Sequence, residues 1–360
     1  MNLDNRQLLF ALGRPFAPLY GLAMRLREQG YRKGIFTSER LPVPVISVGN
    51  LTLGGTGKTP LVQAIVRLLL DMGRKPAVIS RGYGGATKEP VNVVSDGRSV
   101  LLPADLVGDE PRLLAETLPG AMILTGVVRR LPARKAVHMG ADVLILDDGF
   151  QHMAVARDLD LVLFSADHLA GNSRIFPGGD LREPVAALGR ASCFVLTGVN
   201  PENAERAGRF ADLLGTRFSH IPLFRTRTRV DGLTVRSEES CVPAEVDLHT
   251  LREQKVFALC GIARPESFQK TLARCEIAVA GFLALPDHHR YKAADLARIR
   301  KKAQEAGADC IVTTEKDLVK LGQAGLGMPV YGLRLEVDMD TALQQLVYSA
   351  ATSSVSKTAA

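Results

Sequence analysis

A chain that reads Val43-Pro-Val-Ile-Ser-Val48, then Thr52-Leu-Gly-Gly-Thr-Gly-Lys-Thr59, then an amphipathic stretch from Pro60 to Met72 closed by Gly73 has few ways to fold. The first run is an apolar strand and the second a glycine-rich turn. The third is a helix opened by a proline, whose missing N–H costs little at that position. Pro76-Ala-Val-Ile-Ser80 adds a second strand. Strand, helix and strand over this distance make a βαβ unit, hence a parallel sheet. The turn has the form of a P-loop, in which backbone N–H groups wrap a phosphate and the helix N-terminus adds its positive end. Gly54, Gly55, Thr56, Gly57, Lys58 and Thr59 are its binding residues, with Lys58 on the β- and γ-phosphates and the Thr59 hydroxyl on Mg²⁺. The strict pattern has Gly where Thr52 stands. The flanking strand and helix, with GKT in register, still favour a nucleotide loop over a chance glycine-rich turn.

The alternation continues. Ala141–Leu146, Leu159–Phe164 and Cys193–Leu196 read as further strands, with a helix near Glu202–Leu214 and a polar, strand-like region over 222–246. A second βα run begins at Lys255–Leu259, followed by helices at Pro265–Arg274 and Ala293–Ala306 and a strand at Asp309–Thr313. The expected architecture is α/β: a P-loop NTPase-like parallel-sheet domain over 36–225 and a smaller α/β domain over 226–350. An amphipathic helix within 1–35 precedes them, and a small, polar, disordered tail over 351–360 follows.

Of the 360 residues 46% are hydrophobic and 23% charged, the balance of a folded globular protein, and the net charge is +7. An acidic partner is implied: a nucleotide, a phosphorylated metabolite, an anionic membrane or a nucleic acid. Nucleic acid is disfavoured, because there is no Trp and aromatics are only 5%. Cys193, Cys241, Cys260, Cys275 and Cys310 contain no CxxC pair and suit buried, reduced thiols. Near the N-terminus the uncharged run Pro15–Met24 is far short of the ~18–20 residues that span a bilayer. Phe16, Leu19, Tyr20, Leu22, Ala23 and Leu26 follow helical spacing among Arg14, Arg25, Arg27, Arg32 and Lys33. That pattern fits a helix lying among lipid headgroups, and equally one capping the first domain.

Leu144-Ile-Leu-Asp-Asp148 is an apolar strand ending in two carboxylates, the form of a Walker B element that would hold Mg²⁺ beside Thr59. Rival P-loop classes match less well. Thr314-Glu-Lys-Asp317 lacks the spacer of a guanine-reading N/T-K-x-D sequence, and Leu53 stands where deviant Walker ATPases carry lysine. Gly108-Asp-Glu-Pro111 is either a carboxylate pair or an ordinary helix start. Asp287-His-His-Arg-Tyr291 is either a metal-binding loop or a solvated turn. Arg81-Gly-Tyr-Gly-Gly85 follows a strand where substrate loops of open α/β sheets belong.

Taken in order, Gly49–Pro60, Ser80-Arg-Gly-Tyr-Gly84, Gly108-Asp-Glu-Pro111, Asp147-Asp-Gly-Phe-Gln-His152, Leu181-Arg-Glu-Pro184, Asp287-His-His and Thr313-Thr-Glu-Lys-Asp317 resemble the tetraacyldisaccharide 4′-kinases, the lipid A 4′-kinases of Gram-negative bacteria. The resemblance runs from about residue 15 to 335, and Thr52 is tolerated in that family's loop. It implies transfer of the ATP γ-phosphate to the 4′-hydroxyl of tetraacyldisaccharide 1-phosphate. It also implies two α/β/α domains joined by a two-stranded linker, with the site in the cleft. By the same resemblance Asp109 is the base toward the acceptor, His288 its partner, and Asp147 and Asp148 belong to the metal and nucleotide side. The resemblance also implies that Arg81, Tyr83, His152, Arg182 and Glu183 line the substrate cleft. A four-chain substrate implies work on an anionic membrane surface, here the cytoplasmic face of the inner membrane, by a monomer that binds no nucleic acid. Alternatives from the residues alone are a P-loop ATPase or kinase with a soluble acceptor, and a nucleotide- or lipid-binding regulator.

Overall fold

The computed structural model describes residues 3–236, 244–321 and 325–353. Two helices open it, α1 (Leu3–Gly13) and α2 (Ala17–Arg32). Then come β1 (Val45–Asn50), α3 (Lys58–Asp71), β2 (Pro76–Ser80), β3 (Asn92–Asp96), α4 (Ala104–Val107), α5 (Asp109–Thr117), β4 (Met122–Thr125), α6 (Arg130–His138), β5 (Val143–Asp147), β6 (Leu159–Ser165), β7 (Cys193–Thr197), α7 (Ala204–Arg217) and β8 (Leu223–Arg225). The second half holds β9 (Arg227–Val235), β10 (Ala244–Val246), β11 (Val256–Cys260), α8 (Pro265–Arg274), β12 (Val279–Ala284), α9 (Ala293–Glu305), β13 (Cys310–Thr314), α10 (Glu315–Leu321), β14 (Val330–Asp338) and α11 (Thr341–Thr352).

The first eight strands form one sheet in the order β3-β4-β2-β5-β1-β6-β7-β8, parallel except at β3. Its central strands are apolar on both faces because helices cover both, as parallel sheets require. Leu61, Val62, Ile65, Val66 and Leu69 of α3 are fully buried, each such side chain contributing about 1.5–3 kcal/mol. Strand order reverses around β1, and the crevice beyond the carboxyl ends of strands at such a switch point is where α/β folds bind ligands.

The remaining six strands form a second sheet, β10-β9-β14-β13-β11-β12, mostly parallel with antiparallel pairing at β9. β9 follows β8 directly and pairs along its length with β14, so this two-stranded ladder carries the chain between the sheets. The chain does not end in the second sheet. Leu343, Val347, Ala350 and Ala351 of α11 join the core of the first sheet beside α3 and β1. Helix α11 reaches Thr352, so the start of the expected tail is helical, and 354–360 lie outside the described residues. The main contact between the two units across the cleft is α5 against α10.

The N-terminal helix packs on the first unit by one face and leaves the other exposed. Gly21 and Gly30 of α2 are buried. Tyr20 donates to the Arg182 carbonyl at 3.0 Å and Arg27 to the Gln151 carbonyl at 2.9 Å. Leu8, Leu9, Leu12, Phe16, Leu19, Leu22 and Leu26 remain exposed. Among the described residues no helix is long and apolar enough to cross a membrane. Cys193, Cys260 and Cys310 are buried free thiols and Cys275 is half-buried; Cys241 lies outside the described residues.

Candidate active site

The loop between β1 and α3 is shaped by glycine where the backbone demands it. Gly54 and Gly57 adopt φ of +106° and +76°, the region L side chains avoid. Gly57 is the N-cap of α3, so the first free N–H groups of that helix face the loop. Thr197, at the end of β7, donates to the Thr56 carbonyl at 2.7 Å and pins the loop from below. Lys58 is held back by two partners: it donates to Asn50 Oδ1 at 3.1 Å and lies 3.4 Å from Asp148 Oδ1. Thr59 follows in the first turn of α3.

Asp147 ends β5 and Asp148 turns away from it with φ of +52°. Asp148 accepts from Arg182 Nη1 at 2.9 and 2.7 Å, and Arg129 donates to its carbonyl at 2.7 Å. Burial works to raise the Asp148 pKa, but Lys58, Arg182 and Arg129 outweigh it and bring it down to about 2. Asp147 is buried and moves the other way, because desolvation and the neighbouring carboxylates of Glu110 and Asp148 exceed the pull of Lys58 and Arg129. A carboxylate short of positive charge beside a phosphate loop suits Mg²⁺, which takes one or two carboxylates, waters and nucleotide phosphates. Among the described residues no group of three or more His, Cys, Asp or Glu forms a metal cage. The cation would therefore be shared between Asp147, the Thr59 hydroxyl and the phosphates.

Across the cleft Asp109 opens α5, following Gly108 at φ +96°. It is only 6% exposed, and His288 Nδ1 sits 3.1 and 3.2 Å from its two oxygens. Lys320 Nζ is 3.7 Å and Lys316 Nζ 3.9 Å away. Burial pushes the Asp109 pKa up, yet the His288 hydrogen bond and the two lysines more than reverse it, to about 2. His288 itself is raised, chiefly by that hydrogen bond. The pair joins the two units: Asp109 belongs to the first sheet, His288 to the loop after β12. Glu110, beside Asp109, is among the charges acting on Asp147, which puts the two clusters in one electrostatic field.

A family model for tetraacyldisaccharide-1-P 4′-kinase matches residues 9–352. The chain belongs to that family. The Desulfotalea psychrophila tetraacyldisaccharide 4′-kinase is 44% identical over 96% of this chain and 97% of its own. That of Syntrophus aciditrophicus is 45% identical over 89% and 87%. The crystal structure of LpxK from Aquifex aeolicus in complex with ATP superposes with a TM-score of 0.75 at 31% identity, covering 94% of this chain and 98% of that one. In this member of the tetraacyldisaccharide 4′-kinases, the expected residues take three kinds of position.

Lys58, Thr59, Asp147, Asp148 and Arg182 gather at the carboxyl ends of β1 and β5, and Asp109 and His288 meet opposite them. Exposed Tyr83 stacks edge-on against His288 with ring centroids 5.4 Å apart, and Arg81 is exposed nearby. His152 is half-buried, and its Nε2 has no hydrogen-bond partner. Burial first, then Arg129, Arg157, Arg27 and Arg81, push its pKa down to about 4, so this imidazole is neutral and surrounded by cations. Glu183 is turned inward: 2% exposed, it pairs with Arg190 and lies 3.9 Å from Arg27. Its place is beneath the cleft floor, tying α2 to the core.

Several contributors carried no separate signal in the sequence. Asn50 and Gln151 sit inside quoted motifs, and their roles appear only through Lys58 and through the Gln151 donation to the Asn50 carbonyl at 2.9 Å. Arg129 stands in no motif. Arg264, from the second unit, lies over the nucleotide loop, where a Cβ on Gly54 would be 3.4 Å from its guanidinium.

Proposed function

We propose that this chain transfers the γ-phosphate of ATP to the 4′-hydroxyl of tetraacyldisaccharide 1-phosphate, a step of lipid A biosynthesis, with Asp109 as the base. The observation that carries the assignment of residues is the meeting of Asp109 and His288 at 3.1 Å across two sheets, facing a loop whose lysine is already held by Asp148 at 3.4 Å. Phosphoryl transfer has a loose transition state, so the protein has chiefly to position the groups and neutralise charge. Lys58 lies where the β- and γ-phosphates would arrive, and entering phosphates would compete with Asn50 and Asp148 for its ammonium. Arg182 holds Asp148 ready on the same side. Mg²⁺, bound by Thr59, Asp147 and the nucleotide, would add charge neutralisation on the transferring group.

Asp109 stays ionised at working pH because the His288 hydrogen bond and the Lys316 and Lys320 ammoniums hold its pKa down, so it can accept the acceptor hydroxyl's proton as the P–O bond forms. Arg81, Tyr83, His152 and Arg182 would contact the anionic disaccharide, and Glu183 supports that wall from beneath. The exposed apolar row from Leu8 to Leu26 supports docking on an anionic membrane, by insertion of that face below the headgroups; the proposal places a monomer on the cytoplasmic side, where ATP is supplied. The direct test is detergent-solubilised protein with γ-labelled ATP, Mg²⁺ and tetraacyldisaccharide 1-phosphate, with Lys58→Ala alongside. Label in the lipid that vanishes in the variant supports the reading. ATP binding without lipid label moves the search to a soluble acceptor.

A further inference from the structure

Lys316 helps to hold Asp109 ionised, and it also touches the other members of the dyad's surroundings. It occupies the first turn of α10, whose start is fixed by Asp317, a fully buried carboxylate. Asp317 accepts from the Gly261 backbone at 2.8 Å, from Thr314 Oγ1 at 2.7 Å and from the Tyr291 hydroxyl at 3.0 Å. Lys320 also pairs with it at 2.8 Å. From this fixed base the Lys316 ammonium donates to Glu110 Oε1 at 3.0 Å, and it lies 3.2 Å from His288 Nε2. Asp109 Oδ2 and Asp287 Oδ1 are each 3.9 Å away.

The chemistry of these atoms decides where the protons are. An ammonium has three donors and no lone pair, so at hydrogen-bond distance from an imidazole nitrogen it requires that nitrogen to accept. Nε2 must then be bare. The ring's single proton is on Nδ1, the atom that faces Asp109 at 3.1 Å. We infer that Lys316 is a positioning residue which bridges the two units through Glu110 and holds His288 as the neutral Nδ1–H tautomer, so that the imidazole orients Asp109 without protonating it.

A proton accepted by Asp109 cannot pass to Nδ1, which is already occupied. The groups facing His288 are Asp109 from α5, Lys316 from α10, Asp287 from its own loop and the edge of the Tyr83 ring. Glu110 and Lys320 act at one remove, through Lys316 and Asp109. The inference deepens the proposed reaction and rests on Asp109 being its base.

The test combines kinetics with ¹⁵N spectroscopy of the imidazoles in the full-length protein, the His288 signals being assigned by their loss in His288→Gln. In the parent, on the alkaline side of the raised His288 titration, Nε2 should show a pyridine-type shift and Nδ1 a protonated one. Lys316→Met should lower kcat about tenfold or more with KM for ATP unchanged, short of the ~10²–10⁴ of a whole general base. Its acid limb should move to higher pH. Loss of Lys316 raises both His288 and Asp109, so the limb alone does not separate them. The Nε2 signal does, because it should titrate at higher pH in the variant. Lys316→Arg, which keeps a donor cation, should restore the pyridine-type signal and part of kcat. A protonated Nε2 in the parent, or a His288 titration indifferent to Lys316→Met in a variant that still binds ATP, overturns the inference. Full activity in Asp109→Asn would instead remove the base, leaving the tautomer result to stand separately.

Discussion

Replacing Asp109 by asparagine keeps the shape of the side chain and removes only its charge. The structure allows the consequence to be worked for stability and for rate. The carboxyl's pKa falls from 3.8 to about 2 despite burial. At about 1.4 kcal/mol per unit that shift represents about 2–3 kcal/mol of net favourable interaction with His288, Lys316 and Lys320. The folded-state pKa is depressed, so this contribution is fully present above the unfolded value near 4 and is lost as pH falls toward 2. Asp109→Asn should therefore be less stable than the parent at pH 7 by up to that amount, with the gap closing in acid. Typical domain stabilities of about 5–15 kcal/mol leave the variant folded.

Turnover should fall by ~10²–10⁴, or about 2.7–5.4 kcal/mol of barrier, as expected when a general base is removed. Nucleotide affinity should hold, because the loop around Lys58 belongs to the other cluster. Denaturant melts at pH 7 and pH 3, a nucleotide-binding titration and the labelled-lipid assay give all three numbers. Turnover within a few-fold of the parent would refute Asp109 as the base, and an equal stability gap at both pH values would refute the ion-pair account.

Lys58→Ala should abolish turnover and weaken ATP binding by at least tenfold, read by equilibrium titration; unchanged affinity would place the phosphates elsewhere. Leu19→Ser, Leu22→Ser and Leu26→Ser combined should release the protein from anionic vesicles in a flotation assay while leaving the melt nearly unchanged, since these side chains are exposed. Retention on the vesicles would put the membrane contact on another face. Gly49→Ala should cost about 1–3 kcal/mol by overpacking, because its Cβ would come within 2.6 Å of the Phe150 backbone nitrogen. A melt equal to the parent's would mean that β1 and the loop after β5 can separate freely.

Local pattern was enough for several elements of both units. Pro76–Ser80 and Pro265–Arg274 have the observed bounds, because an apolar run between turn residues and a proline helix start are local signals. β14 and α11 carry equally ordinary patterns, and it is pairing with β9 and packing on α3 that give them their places. Within the site, the types and order of Lys58, Thr59, Asp147, Asp148, Asp109 and His288 were legible because each stands in a motif with a chemical reason for its residues. Glu183 stands in one too, and only burial against Arg190 shows that it faces inward.

By itself, then, the sequence determined a P-loop α/β fold, its family and the inventory of reactive side chains, all of which follow from residue type and spacing along the chain. The tertiary structure decided which of those groups meet. Asp109 and His288 are 179 residues apart, and Lys316 and Lys320 reach Asp109 because α5 lies on α10. Proton positions and pKa shifts depend on distances of 3–4 Å between atoms, and such distances are properties of packing that no one-dimensional pattern contains.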